Sequence, residues 1–400
     1  MNVSDSERIA GFLEARGLKP AKDITKSDFV IFNTCGVRQT AEDRVYGLVH
    51  NLVTHSPVKS LRDNGAGVER GTKKPAIIVT GCLANRKDVQ RKLKDKVDLF
   101  CEIRDVESIM YYVSSMQNKK IHNTSYIIHA TSELGCNYLN ISPKYTNTRT
   151  AYIPIMTGCN NFCSYCVVPY ARGREVSRSA EDIIAEIDNL TEKKYKEVIL
   201  LGQNVNSYNH NIKNSEIENL KLIENCKLKI ENYNTALFNF PVLLEILANS
   251  YPKINFKFLT SHPKDFSNEL INIIAKNRNI NREIHLPVQA GSDKILKAMN
   301  RPYTQRKYLA LIEKIKKKIP DASFTTDVIV GFPGETEKDF QETVKVFEKV
   351  KYNEAYINKY SPRPGTAAFS LGDSISWDEK KRREKVLRET VTPRQKQTVR

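Results

Sequence analysis

Four hundred residues exceed one domain of ordinary size and point to two or three, and a composition 40% hydrophobic and 27% charged excludes collagen-like, coiled-coil and wholly disordered chains. Lys and Arg number 63 against 46 acidic residues, a net +17 that favours a polyanion such as nucleic acid, although a Lys-rich solvated surface gives the same excess. No apolar run approaches the ~18 residues of a membrane helix, and Met1–Arg8 lacks the basic-then-apolar order of a secretory signal, so the expectation is a cytoplasmic protein without membrane contact.

The first part of the chain alternates strand and helix. Asp28–Asn33 is a short apolar run ending at Cys35-Gly36, followed by a helical stretch from Gln39 to Leu52. Ala76–Thr80 is a second apolar run, ending at Gly81-Cys82, and Val106–Met116 has helical spacing. Strands separated by helices imply a parallel sheet, whose ligand sites lie beyond the carboxyl ends of its strands. Cys35 and Cys82 fall at that edge. Thr54–Pro75, rich in Gly, Pro and charge, reads as a long loop, and Leu134–Arg149 as a linker.

From Ala151 the rhythm repeats. Apolar runs at Ala151–Met156, Glu197–Leu201, Asn255–Leu259, Glu283–Val288, Ser323–Val330 and Glu354–Tyr360 are separated by helical patterns at Ala180–Thr191, Pro241–Ala248, Asp293–Met299, Tyr303–Ile319 and Thr336–Val350. Six such units make a partial barrel or an open doubly wound sheet. Asn206–Asn239 reads as an insertion. Asp378–Arg400 carries nine Lys or Arg against four acidic residues, as a solvated helix or an RNA contact would.

Eight cysteines in a reducing compartment are not read as disulfides. Cys35, Cys82, Cys101, Cys136 and Cys226 are dispersed, and Cys226 reads as inert. Cys159, Cys163 and Cys166 instead crowd into eight residues just past the first strand of the second series. Three thiolates at this spacing can hold three irons of a cubane cluster and leave the fourth open, with Gly158 and Asn160-Asn161 letting the loop curl. A closed zinc site would need four Cys or His ligands, and the nearest downstream histidine is His210.

Gly158-Cys159-Asn160-Asn161-Phe162-Cys163-Ser164-Tyr165-Cys166 resembles the radical S-adenosylmethionine (SAM) signature. The segment Val167–Arg178 resembles the methylthiotransferase subfamily, and Leu201–Tyr208 is similar to the member that modifies isopentenylated adenosine beside the tRNA anticodon. His285–Ser292, Asp327–Thr336 and Arg363–Thr366 agree, so the resemblance spans nearly the whole chain outside Asn206–Asn239.

The resemblance implies an α/β fold: an N-terminal parallel α/β sheet domain followed by a partial six-unit βα radical-SAM barrel. The implied division is 1–140, 141–378 with the insertion at about 206–239, and a basic helix or linker over 379–400. It implies that Cys159, Cys163 and Cys166 hold a 4Fe–4S cluster that binds SAM and cleaves it reductively to a 5′-deoxyadenosyl radical. Gly202, Gln203 and Asn204 would contact the methionine amino group, with Gln289 and Gly331 lining the same cavity. Cys35 and Cys82 match two of three cysteines of an auxiliary 4Fe–4S cluster. The third, in a Gly-Cys-Gln-Met-Asn turn, and the strand bearing it are missing from a chain that starts at Met1-Asn2, as is the family's C-terminal tRNA-binding β-barrel; a misplaced start or partial gene is the expected cause. Cys101 and Cys136 have no motif support as replacements.

Tyr170, Arg172, Arg174 and Arg178 are candidates to contact RNA phosphates or stack on a splayed base, with structural ion pairing as the competing reading for the arginines. The implied reaction is methylthiolation of carbon 2 of N6-isopentenyladenosine in tRNA. A flavodoxin- or ferredoxin-like electron donor and a monomeric state go with it. Action on threonylcarbamoyladenosine, action on a ribosomal protein, and a non-catalytic metal-dependent RNA-binding protein are the alternatives. Hydrogen-atom abstraction needs no general base, and His285 and Asp327 are assigned no role.

Overall fold

Ala76–Gly81 runs without polar alternation because both of its faces are covered. Ala76 and Ile78 pack with Ile9, Phe12, Leu99 and Val106 on one side, while Ile77 and Val79 pack with Val45, Val49, Val89 and Phe100 on the other. The computed structural model describes residues 1–36, 39–54, 75–117, 126–128, 138–211 and 237–391. Within them the chain divides into two units, 1–146 with 167–173, and 147–166 with 174–400. Cys136, Cys226, the 55–74 loop, most of the 206–239 insertion and the last residues of the basic tail lie outside the described residues.

The first unit contains α1 (Asn2–Glu14), β1 (Phe29–Thr34), α2 (Gln39–Thr54), β2 (Ala76–Gly81), α3 (Lys87–Leu93), β3 (Leu99–Cys101), α4 (Val106–Gln117) and β4 (Tyr126–Ile128). Its four strands are parallel in the order β1-β2-β3-β4, as the alternating pattern implies. Sequence reading finds β1, α2, β2 and α4 but not α1, α3, β3 or β4. The two missed strands have three residues each, too short for a period to register. The short helix α5 (Val168–Arg172) also belongs to this unit.

The second unit runs β5 (Thr150–Pro154), β6 (Met156–Thr157), β7 (Val176–Ser177), α6 (Ala180–Glu192), β8 (Glu197–Leu201), β9 (Asn209–Asn211), β10 (Leu237–Asn239), α7 (Phe240–Ser250), β11 (Asn255–Phe258), α8 (Asn268–Lys276), β12 (Glu283–His285), α9 (Asp293–Ala298), α10 (Gln305–Lys318), β13 (Ser323–Val330), α11 (Glu337–Val350), β14 (Glu354–Lys359) and α12 (Trp377–Thr390). Strands β5, β8 and β11 form one parallel trio and β12, β13 and β14 another, with an isolated parallel bridge from Phe256 on β11 to Ile280, just before β12. Six parallel strands in chain order, alternating with helices, have the connectivity of a partial barrel.

Two expected strands differ. The run from Ala151 breaks at Ile155, whose carbonyl turns to accept from Arg178 N–H at 2.8 Å, and Met156–Thr157 pairs antiparallel with Val176–Ser177. The run from Glu283 ends at His285 and continues only as a bridge between Gln289 and Val328. Helix starts follow side-chain capping. Ser179, Asn239, Ser267, Thr304 and Ser376 each accept a backbone N–H of the first turn, and Thr336 with Asp339 closes a full capping box.

Candidate metal centre and cofactor site

The cysteine loop follows β6. Gly158 (φ 80°) and Phe162 (φ 47°) take the left-handed conformation there, so the curl rests on Gly158 and Phe162 rather than on Asn160-Asn161. The segment after α9 clamps the loop. Asn300 Nδ2 donates to the carbonyls of Asn161 (3.1 Å) and Phe162 (2.9 Å), Ser164 Oγ donates to Ala298 O (2.8 Å), and Ser164 N–H donates to Met299 O (3.1 Å). Arg301 then reaches Cys163 Sγ with Nη1 at 3.5 Å.

Cys159 is buried, and Cys163 and Cys166 are half-buried. Burial pushes the Cys159 thiol up, while the Asn161 backbone N–H donates to it and lowers it. Among the described residues no three Cys, His, Asp or Glu side chains converge tightly enough to hold a single ion. A mononuclear tetrahedral site needs sulfurs about 3.8 Å apart, from a metal–sulfur bond of ~2.3 Å. A cubane accepts each thiolate on a different iron and needs no such convergence. Three thiols on one clamped loop, with the Asn161 N–H on Cys159 and Arg301 Nη1 on Cys163, fit a cluster that takes each thiolate on a different iron.

The turn after β8 carries the polar groups expected for a bound amino acid moiety. Gln203 Oε1, Asn204 Oδ1 and both amide atoms of Asn206 are buried without a hydrogen-bond partner, while Asn204 Nδ2 is fixed by Asp265 at 2.7 Å. Orphaned buried polar atoms are costly unless a ligand satisfies them. Gly202 lies close against Met156, since a Cβ there would stand 2.6 Å from its Cγ. Gln289 has φ 66°, a strained backbone held by Asp327 O and the Ile329 N–H, with a half-buried side chain. Gly331 (φ 73°) donates its N–H to Glu335 Oε2 at 2.6 Å and lies under the alkyl stem of buried Lys380.

Sequence reasoning missed Ser261, His262, Arg301 and Tyr303. Ser261 Oγ and His262 Nε2 are buried and unpartnered, and the His262 ring meets Tyr303 edge to face at 5.7 Å. Burial, helped by Arg301 and Lys264, holds His262 neutral with its pKa lowered to about 2. The polar run Thr260-Ser261-His262, immediately after an apolar strand, was the available signal.

In the first unit, Thr34 pairs with Gly81, so Cys35 and Cys82 follow the ends of adjacent parallel strands, and a Cβ on Gly36 would stand 3.1 Å from Cys82 Cβ. Cys101 is buried on β3, and burial raises its pKa to about 12, which agrees with an inert thiol.

The RNA candidates separate into two buried, ion-paired arginines and two other residues. Arg172 is buried and donates to Asp5 Oδ2 at 2.6 Å; Arg178 is buried against Glu186 and the Asp182 carbonyl. Each guanidinium is engaged by a carboxylate, Asp5 being buried and Glu186 half-buried. Tyr170 is exposed, and Arg174 lies over the Phe162 ring at 4.5 Å. Several C-terminal cations among the described residues are also ion-paired. Arg383 pairs with Glu335 and Glu379, Arg382 with Glu379 and Glu337, Arg388 with Glu384, and Lys380 with Asp373.

Fold and site together define a radical SAM protein. The Radical SAM superfamily model matches residues 153–347, and that of Uncharacterized protein family UPF0004 matches residues 1–102. Among solved structures, the radical SAM methyltransferase TsrM from Kitasatospora setae, with tryptophan and a SAM analogue, aligns with a TM-score of 0.54 at 10% identity, over 90% of this chain and 66% of that one. The cobalamin-dependent radical SAM enzyme OxsB aligns at 0.51 and 9% identity, over 96% of this chain and 53% of its own. These likenesses speak for the fold alone. A tRNA-2-methylthio-N(6)-dimethylallyladenosine synthase from Syntrophomonas wolfei is 39% identical over 387 residues, 96% of this chain and 78% of the relative. Its counterpart from Caldicellulosiruptor saccharolyticus is 40% identical over 377 residues, 94% of this chain and 72% of the relative. The chain belongs to the tRNA-2-methylthio-N(6)-dimethylallyladenosine synthase family, and superfamily membership implies a 4Fe–4S cluster and SAM. Among the described residues no helix is long and apolar enough to cross a membrane.

Proposed function

We propose that this protein transfers a methylthio group to carbon 2 of N6-isopentenyladenosine beside the anticodon of tRNA. The observation that carries the reading is likeness to curated synthases of that name over 96% of the chain. The clamped three-cysteine loop is the local feature in accord with it.

In this reading Cys159, Cys163 and Cys166 hold the cluster, which when bound supplies an electron for reductive cleavage of SAM. Gly202 lets the turn after β8 approach closely. Gln203 and Asn204 bind the amino acid moiety through their orphaned oxygens, and Gln289 and Gly331 border it. Asn300 and Ser164 keep the loop in register. Cys35 and Cys82, at the ends of paired strands, contribute to an auxiliary 4Fe–4S cluster. Residues 1–140 form the methylthiotransferase domain, 141–378 the radical SAM core, and 379–400 a basic helix or linker. Tyr170 and Arg174 remain as RNA contacts. A low-potential flavodoxin or ferredoxin, a monomeric state and a cytoplasmic setting complete the proposal.

The test is anaerobic incubation of reconstituted protein with SAM, reductant and isopentenylated tRNA, followed by nucleoside mass spectrometry. Appearance of 2-methylthio-N6-isopentenyladenosine is expected. Modification of threonylcarbamoyladenosine instead would assign the sister substrate.

A further inference from the structure

Arg301 is buried, and all three edges of its guanidinium are used: Nε donates to Tyr303 Oη at 2.9 Å, Nη2 to Pro287 O at 3.1 Å and Nη1 to Cys163 Sγ at 3.5 Å. No carboxylate lies within ion-pairing distance of it among the described residues. The contrast with other buried arginines is direct, since Arg172 pairs with Asp5, Arg178 with Glu186 and Arg383 with Glu335. A buried cation without an anion is strongly unfavourable, and its N–H···S contact aims this one at a sulfur of the three-cysteine loop.

The His262 ring, edge to face with Tyr303, brings no negative charge to pair with Arg301. Tyr303 Oη in turn donates to Val288 O at 2.9 Å, which fixes the phenol so that its oxygen can accept from Arg301. The fork is therefore held in place from the side opposite Cys163.

We propose that Arg301 is a positioning residue that raises the reduction potential of the cluster held by Cys159, Cys163 and Cys166, through its positive charge and its N–H···S bond to Cys163. The proposal deepens the reading of those cysteines given above and rests on it. Reduction adds one electron from a low-potential one-electron donor, and no bond is made or broken. A fixed cation beside a ligand sulfur stabilises the added negative charge, and hydrogen bonds to cluster sulfurs act in the same direction.

The test is a redox titration of the full chain, reconstituted anaerobically and followed by electron paramagnetic resonance, for wild type, Arg301→Met, Arg301→Lys and Tyr303→Phe. At the wild-type midpoint, Arg301→Met is expected to hold about tenfold less reduced than oxidised cluster, a shift of about 59 mV to lower potential for a one-electron couple. Arg301→Lys, which keeps the charge, should recover most of the shift, and Tyr303→Phe, which loosens the fork, should fall between. If Arg301→Met fails to fold, a downward shift in Tyr303→Phe supports the proposal and an unchanged potential there overturns it. Wild-type potentials in Arg301→Met also overturn it, leaving the cysteine reading intact. A wild-type chain that takes up no iron defeats both.

Discussion

Asp5 and Arg172 stand 2.6 Å apart, both buried, the carboxylate on α1 and the guanidinium at the end of α5. In the sequence this arginine sits among Tyr170, Arg174 and Arg178 and invites reading as an RNA contact. Removing one partner of a buried pair strands the other, at a cost of about 3–5 kcal/mol. Arg172→Met is therefore expected to lower the denaturant midpoint sharply. Arg174→Ala should change stability by less than about 0.5 kcal/mol. It should weaken tRNA binding and reduce the salt slope by about one. A stable Arg172→Met protein with selectively weakened tRNA binding would reverse that assignment.

Gly291 is fixed by close approach. A Cβ there would lie 2.4 Å from both Glu342 O and Thr343 Cα, and its N–H donates to Thr343 Oγ1 at 2.9 Å. Helix α11 thus packs directly on the loop that carries Gln289. Gly291→Ala should cost about 1–3 kcal/mol by overpacking, readable as a fall in melting temperature. Gly202→Ala meets side-chain atoms, Met156 Cγ at 2.6 Å and Sδ at 3.1 Å, rather than backbone, so it should cost less stability and more SAM affinity. Equal loss of both in the two variants would contradict this.

His262 titrates against the fold. Its Nδ1 accepts from the Lys264 N–H at 3.2 Å, so the proton of the neutral ring is on Nε2, and its pKa is lowered to about 2. The unfolded chain takes up a proton below about pH 6.5 that the folded chain refuses, so acid favours unfolding. From pH 7.5 to 5.5 this group should remove about 1 kcal/mol of stability. Urea melts at the two values should show that His262→Asn lacks this part of the loss; an identical slope in the variant would mean that His262 protonates in the folded state.

Cys101 provides a contrast among the thiols. It is buried with its pKa raised to about 12, so it should resist iodoacetamide at pH 8 in the folded chain and react only on denaturation. Prompt labelling of native protein would show that β3 opens.

Most of what is regular was legible. The strands at Glu197–Leu201 and Ser323–Val330 have the bounds their apolar runs imply, and the three-cysteine loop announces itself by spacing. Three-residue strands such as Leu99–Cys101 fall below the length at which a period registers. Helix Asn268–Lys276 is amphipathic yet was missed, its pattern lying next to the polar run after β11. The arginines show the deeper limit. Nothing local distinguishes Arg172, which finds Asp5 far along the chain, from Arg174, which lies on Phe162, or from Arg301, which reaches a thiol. Burial and partner identity are tertiary facts.

Reductive SAM cleavage by anaerobically reconstituted wild type, set beside a variant with Cys159, Cys163 and Cys166 all changed to Ala, tests the central claim most directly. Wild type should bind iron and acid-labile sulfide and release 5′-deoxyadenosine, whereas the triple variant should release none. Equal release of 5′-deoxyadenosine by both proteins would place the chemistry elsewhere and contradict the account.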